Sequence, residues 1–334
     1  MEPASRSSTG EPGCETRLNR VGPCVSSGFI HHTVLLEEVL TVLQPKDGAS
    51  YFDGTCGGAG HSVAILKASG PKGFLFACDA DPDAIAAARE RLAPFAGRYE
   101  LRMTNFADAG AFVPAGSCAG AVLDLGVSSH QLDTAMRGFS FQQEGPLDMR
   151  MSPSTPLTAA AVVNTWPVED LTQLFWDNGE SQGRRIARAL ERDRKMRPFE
   201  TTRQLAACVA RANPRAGRAK DPATLVFQAL RIVVNDEKAA LNSGLQAAWD
   251  LLAPGGILAV ITFHSGEDRQ VKEFFREEAR DYDLPPGEDD FPHLRQPRPA
   301  RGKILTRKPI VPSESERDRN PRSRSAQLRA LVKL

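Results

Sequence analysis

Two aspartates and the glycine-rich stretch between them are the residues of this chain best suited to chemistry. Asp53 ends a short apolar segment, and the loop after it, residues 54–60, contains four glycines. A helical apolar pattern begins at residues 63–66, and a second apolar segment, residues 73–78, is followed by Asp79. The order is therefore predicted to be strand, loop, helix, strand. Glycines let backbone pass close to a ligand, and an acid after the second strand can accept hydrogen bonds from a ribose. The pattern predicts a cofactor site.

The glycine spacing bears on which cofactor this site holds. The G-x-G-x-x-G pattern of a dinucleotide fold is missing whether it is started at Gly54 or at Gly58. The spacing instead favours a nucleoside cofactor without a pyrophosphate. S-adenosylmethionine has a ribose for Asp79, and its ammonium and sulfonium groups favour a nearby acid such as Asp53. The alternative is a glycine turn in an ordinary α/β protein, with Asp79 capping the helix that follows Pro82.

Composition sets the class of protein. The 334 residues can form a full catalytic domain plus a smaller one, and a hydrophobic content of 41% is enough for a core. No apolar run approaches the roughly 20 residues that span a bilayer, so no membrane association is expected. Residues 1–29 are polar and acid-containing, which indicates a disordered extension rather than a targeting signal. Six scattered cysteines without metal-ligand spacing favour a cytoplasmic protein without a metal site.

Positive charge is concentrated in two stretches. Residues 184–220 and 295–334 each contain twelve Lys or Arg and three Asp or Glu, a net charge of +9 each. The whole chain carries only +1, so the remainder carries 1 − 18 = −17. Two basic surfaces on an acidic body favour a nucleic acid over a small acidic metabolite. The alternative is a solvated helix face, because Arg184, Arg188 and Arg192 recur every fourth residue.

The elements that must position these groups alternate between strand and helix. After a helix over residues 33–43, strands are predicted at 51–53, 73–78, 99–104 and 119–125, which indicates a parallel sheet with helices on its faces. The alternation stops near Gly138 and resumes near residue 222 with helical runs and a strand at 257–263. We therefore predict an α/β fold with a mostly parallel sheet. Its discontinuous sheet domain comprises residues 30–137 and 222–334, and residues 138–221 form a mostly helical inserted domain that recognises the substrate.

Several ordered motifs carry a family resemblance. They lie at residues 31–36, 53–62, 123–133, 137–141, 145–151, 222–232, 234–237, 263–272 and 324–329. Together they closely resemble the bacterial 16S (small-subunit) ribosomal RNA cytosine-N4 methyltransferase family, from about residue 31 to the end. The resemblance implies a class I, Rossmann-like methyltransferase fold with a helical insertion. It also implies S-adenosylmethionine as donor and methylation of the exocyclic N4 of a cytidine in the decoding centre. It also implies rRNA in the small ribosomal subunit as partner; a homodimer is a further expectation.

The resemblance also implies site residues. The family's cofactor contacts match Ala59, Gly60, His61, Asp79, Phe106, Asp124 and Gln131. Three positions depart from the family pattern: Ala59 replaces a glycine, His130 a proline and Gly266 a leucine. We expect the backbone contact of Ala59 to survive if its φ is negative. The turn at His130 is expected to be looser, and the loop at Gly266 more mobile.

Methylation of an exocyclic amine requires hydrogen-bond acceptors, because the nitrogen lone pair is delocalised into the ring. The predicted catalytic residues are Asp124, Asn235 and His264; a carbonyl within residues 126–129 and Asp148 are alternatives. The Asp/Asn/Ser-Pro-Pro-Tyr/Phe tetrapeptide of DNA amino methyltransferases is missing at residues 124–127, so the amine target rests on the resemblance. A C5 methyltransferase needs a nucleophilic cysteine, and we discount Cys24 and Cys56 for that role.

The aromatic residues Trp166, Trp176, Phe139 and Phe141 offer stacking surfaces for an unpaired base. Of these, Phe139 and Phe141 are expected to face the cleft, since aromatic residues at helical spacing usually pack in a core.

Two other functions stay open: a small-molecule methyltransferase, and an assembly factor that binds RNA and adenosylmethionine without catalysis. The sequence does not decide the oligomeric state, the assembly stage of the ribosomal substrate or which residue orients the amine.

Overall fold

The computed structural model describes residues 33–214 and 221–334. These residues belong to one compact unit, His31–Leu334. The predicted N-terminal extension, Cys24 and residues 215–220 of the first basic stretch lie outside the described residues. No helix within the two described ranges is long and apolar enough to cross a bilayer.

A seven-stranded sheet forms the centre of the unit. Its strand order is β3-β2-β1-β4-β5-β9-β8. Strands β1 to β5 are parallel to one another, and β9 pairs antiparallel with both of its neighbours, β5 and β8. The strands are β1 (Ser50–Asp53), β2 (Phe74–Asp79), β3 (Tyr99–Met103), β4 (Cys118–Asp124), β5 (Leu252–Thr262), β6 (Tyr282–Asp283), β7 (Gln296–Pro297), β8 (Gly302–Ile304) and β9 (Gln327–Lys333). Strands β6 and β7 form a separate antiparallel pair.

The order of the strands reverses direction at β1. Chain order runs outward from β1 through β2 to β3 on one side, and through β4 to β5 on the other. Because β1, β2 and β4 are parallel, their carboxyl ends meet at one edge of the sheet. Asp53, Asp79 and Asp124 are the last residues of these three strands. Ligands of open α/β sheets bind at such a switch point, so the fold brings the three acids to the expected place.

Helices cover the sheet and form the intervening segment. They are α1 (Leu36–Leu43), α2 (Gly60–Ala68), α3 (Pro82–Leu92), α4 (Ser129–Asp133), α5 (Ala159–Thr165), α6 (Val168–Asp177), α7 (Gly183–Arg194), α8 (Thr202–Ala212), α9 (Ala223–Val234), α10 (Glu237–Leu251), α11 (Ser265–Glu278) and α12 (Glu314–Arg319). Local signals set several ends. Asp81 caps α3 by accepting a hydrogen bond from Asp83 N at 3.0 Å, and Pro82 is its first residue.

The described residues pack into three hydrophobic clusters. Two lie around the sheet, one containing Tyr51 and Leu75 and the other Phe52 and Leu123. The third draws its side chains from the segment between β4 and α10, with Phe175 buried at its centre. Residues from α5 to α9 therefore share a core of their own. The domain boundaries at residues 137/138 and 221/222 stay a prediction, and this core includes α9, which the prediction assigned to the sheet domain.

The predicted α/β fold class is confirmed, and one helix start differs for a backbone reason. Helix α1 begins at Leu36 rather than residue 33, because Leu35 adopts φ 52 and ψ 35, outside the right-handed helical region. The helical runs expected after residue 222 are the two helices α9 and α10, with Asp236 at φ 48 between them. The positive φ values of Leu35 and Asp236 are not visible in the hydrophobic pattern.

Candidate functional site

The loop after β1 is built around Asp53 and Asp79. Asp53 is 1% exposed and accepts hydrogen bonds from Ser62 Oγ at 2.6 Å and Thr55 N at 3.2 Å. Asp79 accepts from Gly57 N at 2.9 Å and from Asp81 N at 2.9 Å. Burial raises the pKa of both carboxyls to about 6, against the lowering effect of these hydrogen bonds. Asp53 thus shapes the loop, while Asp79 keeps lone pairs for a ligand.

Asp124 is the least compensated of the three acids. Burial raises its pKa well above the ordinary value, and the negative charges of Asp53 and Glu267 raise it further. Its Oδ2 atom lies 3.9 Å from His61 Nδ1, and 19% of the side chain is exposed. Its Oδ1 atom is buried without a hydrogen-bond partner in the described part of the chain. A carboxylate in this state is suited to a cationic or hydrogen-bond-donating ligand.

The loop residues that the sequence assigned to the cofactor all lie beside this edge of the sheet. Ala59 has φ 57 and ψ 30, so the condition stated for its backbone contact, a negative φ, is not met: alanine keeps the left-handed conformation that glycine adopts more easily. Gly60 packs so closely against Thr33 that an added Cβ would lie 1.7 Å from Thr33 Oγ1. His61 Nε2 lies 3.0 Å from the carbonyl oxygen of Val34.

Phe106 and Gln131 lie at the margins of the site. The Phe106 ring packs against α10, where an added Cβ at Gly244 would lie 2.0 Å from its ring carbons. Gln131 is buried, donates to Asp81 Oδ2 at 2.6 Å and forms a capping box with Ser128 at the start of α4. Both side chains therefore have structural contacts within the protein, and their cofactor roles stay predictions.

Asn235 makes three hydrogen bonds within the protein. Its Oδ1 atom accepts from Met151 N at 2.7 Å, and its Nδ2 atom donates to the carbonyl oxygens of Met149 at 2.8 Å and Arg231 at 2.9 Å. Met149 is buried and has φ 64, a conformation that a long side chain adopts only when the surroundings hold it. Asn235 thus braces the segment 149–151.

His264 is likewise engaged by its own helix. Its Nδ1 atom accepts from Gly266 N at 3.2 Å and Glu267 N at 3.3 Å, which makes it the N-cap of α11. Its Nε2 atom lies 3.0 Å from Glu267 Oε1, but in a poor direction for a hydrogen bond. Asp148, the alternative acceptor, is held by two nitrogens of Arg150 at 2.8–3.2 Å. Although burial acts to raise its pKa, these bonds outweigh it and the pKa is lowered.

A carboxylate and histidine cluster stands next to these residues. Ligand atoms of Glu237, His264 and Glu267 lie within 4.8 Å of one another. The guanidinium of Arg231 donates to Glu237 at 2.7 and 2.8 Å and lies 3.9 Å from Glu267. Arg231 therefore already supplies one positive charge to these two carboxylates.

The four aromatic residues that were expected to offer stacking surfaces differ in how far they are exposed. The expectation that Phe139 and Phe141 face the cleft is wrong: Phe139 is 6% exposed, and Phe141 packs edge-on against Phe227 with ring centroids 5.0 Å apart. Trp166 packs against the same cluster. Trp176 is the exposed member of the set, at 49%. A phenylalanine next to a glycine can pack in a core as readily as one in a helix. The composition around Phe139 and Phe141 therefore did not predict where their rings lie.

Two residues that the sequence analysis did not assign connect the site to the helical segment. Arg137 binds Asp81 at 2.9 Å and Asp83 at 2.9 Å, and donates to the carbonyl oxygens of Arg150 and Met151 at 3.1 and 2.9 Å. Asp81 is 2% exposed. The position of Asp81 directly before Pro82 is the pattern of a helix N-cap and could have indicated its structural role. No local sequence pattern indicates the contacts that Arg137 makes.

Comparison with known proteins places this geometry in a family. Residues 28–334 match the model of the MraW methylase family. Ribosomal RNA small subunit methyltransferase H of Heliobacterium mobile is 47% identical over 313 residues, covering 92% of this chain and 99% of that protein. The protein of the same name from Thermomicrobium roseum is 49% identical over 311 residues, covering 91% and 94%.

A solved rRNA methylase of Streptococcus thermophilus covers 91% of this chain and 98% of its own, with 10% identity and a TM-score of 0.40, a likeness too low to bear on function. The assignment depends instead on the sequence matches, which run through the glycine-rich loop, the three strand-end acids and the helical segment. The chain belongs to the MraW methylase family.

Proposed function

We propose that this protein is an S-adenosylmethionine-dependent methyltransferase that modifies the exocyclic N4 of a cytidine in the decoding centre of 16S rRNA. The relatives' printed name, ribosomal RNA small subunit methyltransferase H, supports the class of substrate. The observation that carries the proposal is the group of three carboxyls at the ends of β1, β2 and β4, one of which, Asp124, has an oxygen without a partner among the described residues.

The residues at this edge fit the methyl donor. When bound, S-adenosylmethionine supplies an electrophilic methyl group on a positively charged sulfur. Asp79 would bind the ribose hydroxyls, since each of its oxygens has accepted one hydrogen bond and retains a lone pair. The first backbone N–H groups of α2, at Gly60 and His61, have no acceptor within the helix and would bind the donor carboxylate. Asp53 acts through its charge, because it is buried and already hydrogen-bonded.

Asp124 is the residue that we assign to the target amine. An oxygen that accepts a hydrogen bond from the NH2 group turns the nitrogen lone pair toward the methyl group and stabilises the positive charge that develops on nitrogen. Its raised pKa makes it a better proton acceptor at the moment when the nitrogen becomes acidic. Each gain of about 1.4 kcal/mol in the transition state raises the rate about tenfold.

For Asn235 and His264 we propose positioning roles. Asn235 fixes the segment 149–151 through its three hydrogen bonds, and His264 fixes the start of α11, on which Glu267 stands. Glu267 in turn contributes to the raised pKa of Asp124. Phe106 and Gln131 would bound the adenosine pocket, and Ala59 would contribute its backbone.

The assignment is tested by supplying labelled S-adenosylmethionine with small ribosomal subunits, naked 16S rRNA or free cytidine, followed by mass mapping of the RNA. We expect one methyl group on the N4 of a cytidine. Binding of the donor to a wild-type protein that transfers nothing would favour the assembly factor, and transfer only to free small molecules would favour the small-molecule enzyme. A methyl group on C5, or on another base, would contradict the amine assignment. A cytoplasmic location and a homodimer stay predictions.

A further inference from the structure

A groove lined by arginines lies on the helical segment, apart from the three strand-end acids. Its volume is about 530 Å³, and it is bordered by α7, the residues before it and the end of α8. The charged residues that line it are Arg184, Arg185, Arg188, Arg192 and Arg211; no acid is among the lining residues.

The charges of this groove are only partly compensated within the protein. Arg192 and Arg211 both pair with Asp193, at 2.9 and 3.0 Å. The three arginines of the first turns of α7, Arg184, Arg185 and Arg188, are exposed, and none has an ion-pair partner within residues 33–214 and 221–334. The first turn of α7 also contains no acid. Like charges at this spacing repel one another, so a polyanion in the groove would relieve an existing repulsion.

An exposed aromatic ring lies near one end of this groove. Trp176 lies near the end of α6 and is 49% exposed. Its ring packs against Gly183, the first residue of α7, where an added Cβ would lie 3.0 Å from Trp176 Cδ1. Gly183 stands between Gln182 and Arg184, which both line the groove, so the indole lies against the backbone from which the groove begins.

This juxtaposition identifies the kind of partner. Guanidinium groups bind phosphates through paired N–H donors. An exposed indole binds the face of an unpaired base, which a duplex does not offer. Proteins that bind single-stranded nucleic acid combine these two features, whereas a groove for duplex needs only the charges.

We propose that this arginine groove and Trp176 form a binding site for a single-stranded segment of the RNA substrate, outside the pocket of the target cytidine. The phosphates would lie along Arg184, Arg185 and Arg188, and one base would stack on Trp176. The proposal rests on the proposed function for the identity of the RNA, but the site itself requires no methyl transfer.

The test measures RNA binding without donor, by fluorescence anisotropy of a labelled single-stranded oligoribonucleotide and of the same strand in a duplex. The groove variant is Arg184→Gln with Arg188→Gln. Its matched control is Arg89→Gln with Arg276→Gln, which removes the same charge from exposed helix positions elsewhere. The stacking variant is Trp176→Ala, with Phe291→Ala as control, because Phe291 is also half-exposed, at 51%.

We expect the groove variant to bind the single strand at least tenfold more weakly and to lower the slope of log affinity against log salt by about 0.7 for each phosphate that the variant no longer neutralises. Trp176→Ala should weaken single-strand binding about tenfold without changing that slope. Equal losses in the groove variant and its control would overturn the proposal, and so would equal binding of duplex and single strand by the wild type.

Methylation measured in parallel separates this inference from the proposed function. Groove variants should raise KM for RNA while kcat and the donor Kd stay unchanged. A wild type that methylates rRNA but whose groove variants bind RNA normally would reject the groove and keep the function. A wild type that binds the single strand through the groove but never transfers a methyl group would reject the proposed function and keep the groove.

Discussion

Nδ1 of His61 lies 3.9 Å from Oδ2 of Asp124, whereas Oδ1 of the same carboxylate has no hydrogen-bond partner in the described residues. His61 is the second residue of α2, and its Nε2 atom faces the Val34 carbonyl oxygen at 3.0 Å, so that nitrogen must carry the proton. The start of α2 and the end of β4 thus meet at His61, which we propose to bind the donor, and Asp124, which we propose to orient the amine.

The substitution Asp124→Asn separates the effect of this carboxylate on the methylation rate from its effect on stability. Since burial raises the pKa of this carboxyl, its ionised form is disfavoured in the fold, and the neutral amide should leave the melting temperature unchanged or higher. The methylation rate should fall at least tenfold, because the developing positive charge loses its counter-charge. Exposed Asp108, replaced by Asn, serves as control. An Asp124→Asn enzyme with the wild-type rate would remove Asp124 from the mechanism.

Donor affinity should depend on pH through Asp53 and Asp79, whose pKa values are both raised to about 6. Because the folded protein holds these protons more tightly than the unfolded chain, their contribution to stability falls as pH rises from about 4 to about 6 and is constant above. If the donor binds the ionised acids, its Kd should increase as pH is lowered through about 6, by up to about tenfold per pH unit for each acid.

Calorimetric titrations with the donor between about pH 5 and pH 8 measure this dependence. Asp79→Asn should bind more weakly at every pH and show a shallower profile, since one titrating group is gone. A wild-type Kd that stays constant down to about pH 5 would mean that neither carboxyl responds to the ligand.

Asn235→Ala should lower the free energy of unfolding by about 1–3 kcal/mol, because it removes three hydrogen bonds and leaves Met151 N and the Met149 carbonyl without this partner. Methylation should fall with the release of the segment 149–151. Asn164→Ala is the matched control: that amide bridges the N–H and carbonyl groups of Phe199 at 2.9 Å each. It should destabilise similarly while retaining the methylation rate below both melting temperatures. Abolished methylation with unchanged stability in Asn235→Ala would instead indicate direct contact with the amine.

The role of His264 as an N-cap predicts different results for two substitutions. His264→Asn keeps a capping side chain and should retain most of the stability and activity, whereas His264→Ala should cost about 0.5–2 kcal/mol of stability. Thermal unfolding and methylation rates of the two variants check this. An Asn variant as stable as the wild type but inactive would restore the predicted catalytic role of the imidazole.

Local patterns were sufficient for the edge of the sheet. Asp53, Asp79 and Asp124 each follow an apolar run, and parallel pairing necessarily brings their ends together. The glycine-rich loop was likewise predictable from its composition, whereas the positive φ of Ala59 was not, because alanine rarely adopts the left-handed region.

The features of the site that could not be predicted depend on contacts between residues far apart in the sequence. Two of the three partners of the Asn235 amide, Met149 and Met151, stand more than eighty positions away, so the sequence around residue 235 does not show that this amide braces them. Exposure of Trp176 and burial of Phe139 depend on how α6, α7 and α9 pack, which periodicity does not specify. Chemistry at strand ends was therefore predictable, and the division between bracing and reacting side chains was not.

The most direct test is a crystal structure with S-adenosylmethionine, or its demethylated product, and a cytidine bound. We expect the ribose hydroxyls on the Asp79 carboxylate, the sulfur beside the loop after β1, and the cytidine amine within hydrogen-bond distance of Asp124. A donor bound elsewhere, or an amine held by Asn235 or His264 with Asp124 unengaged, would contradict it.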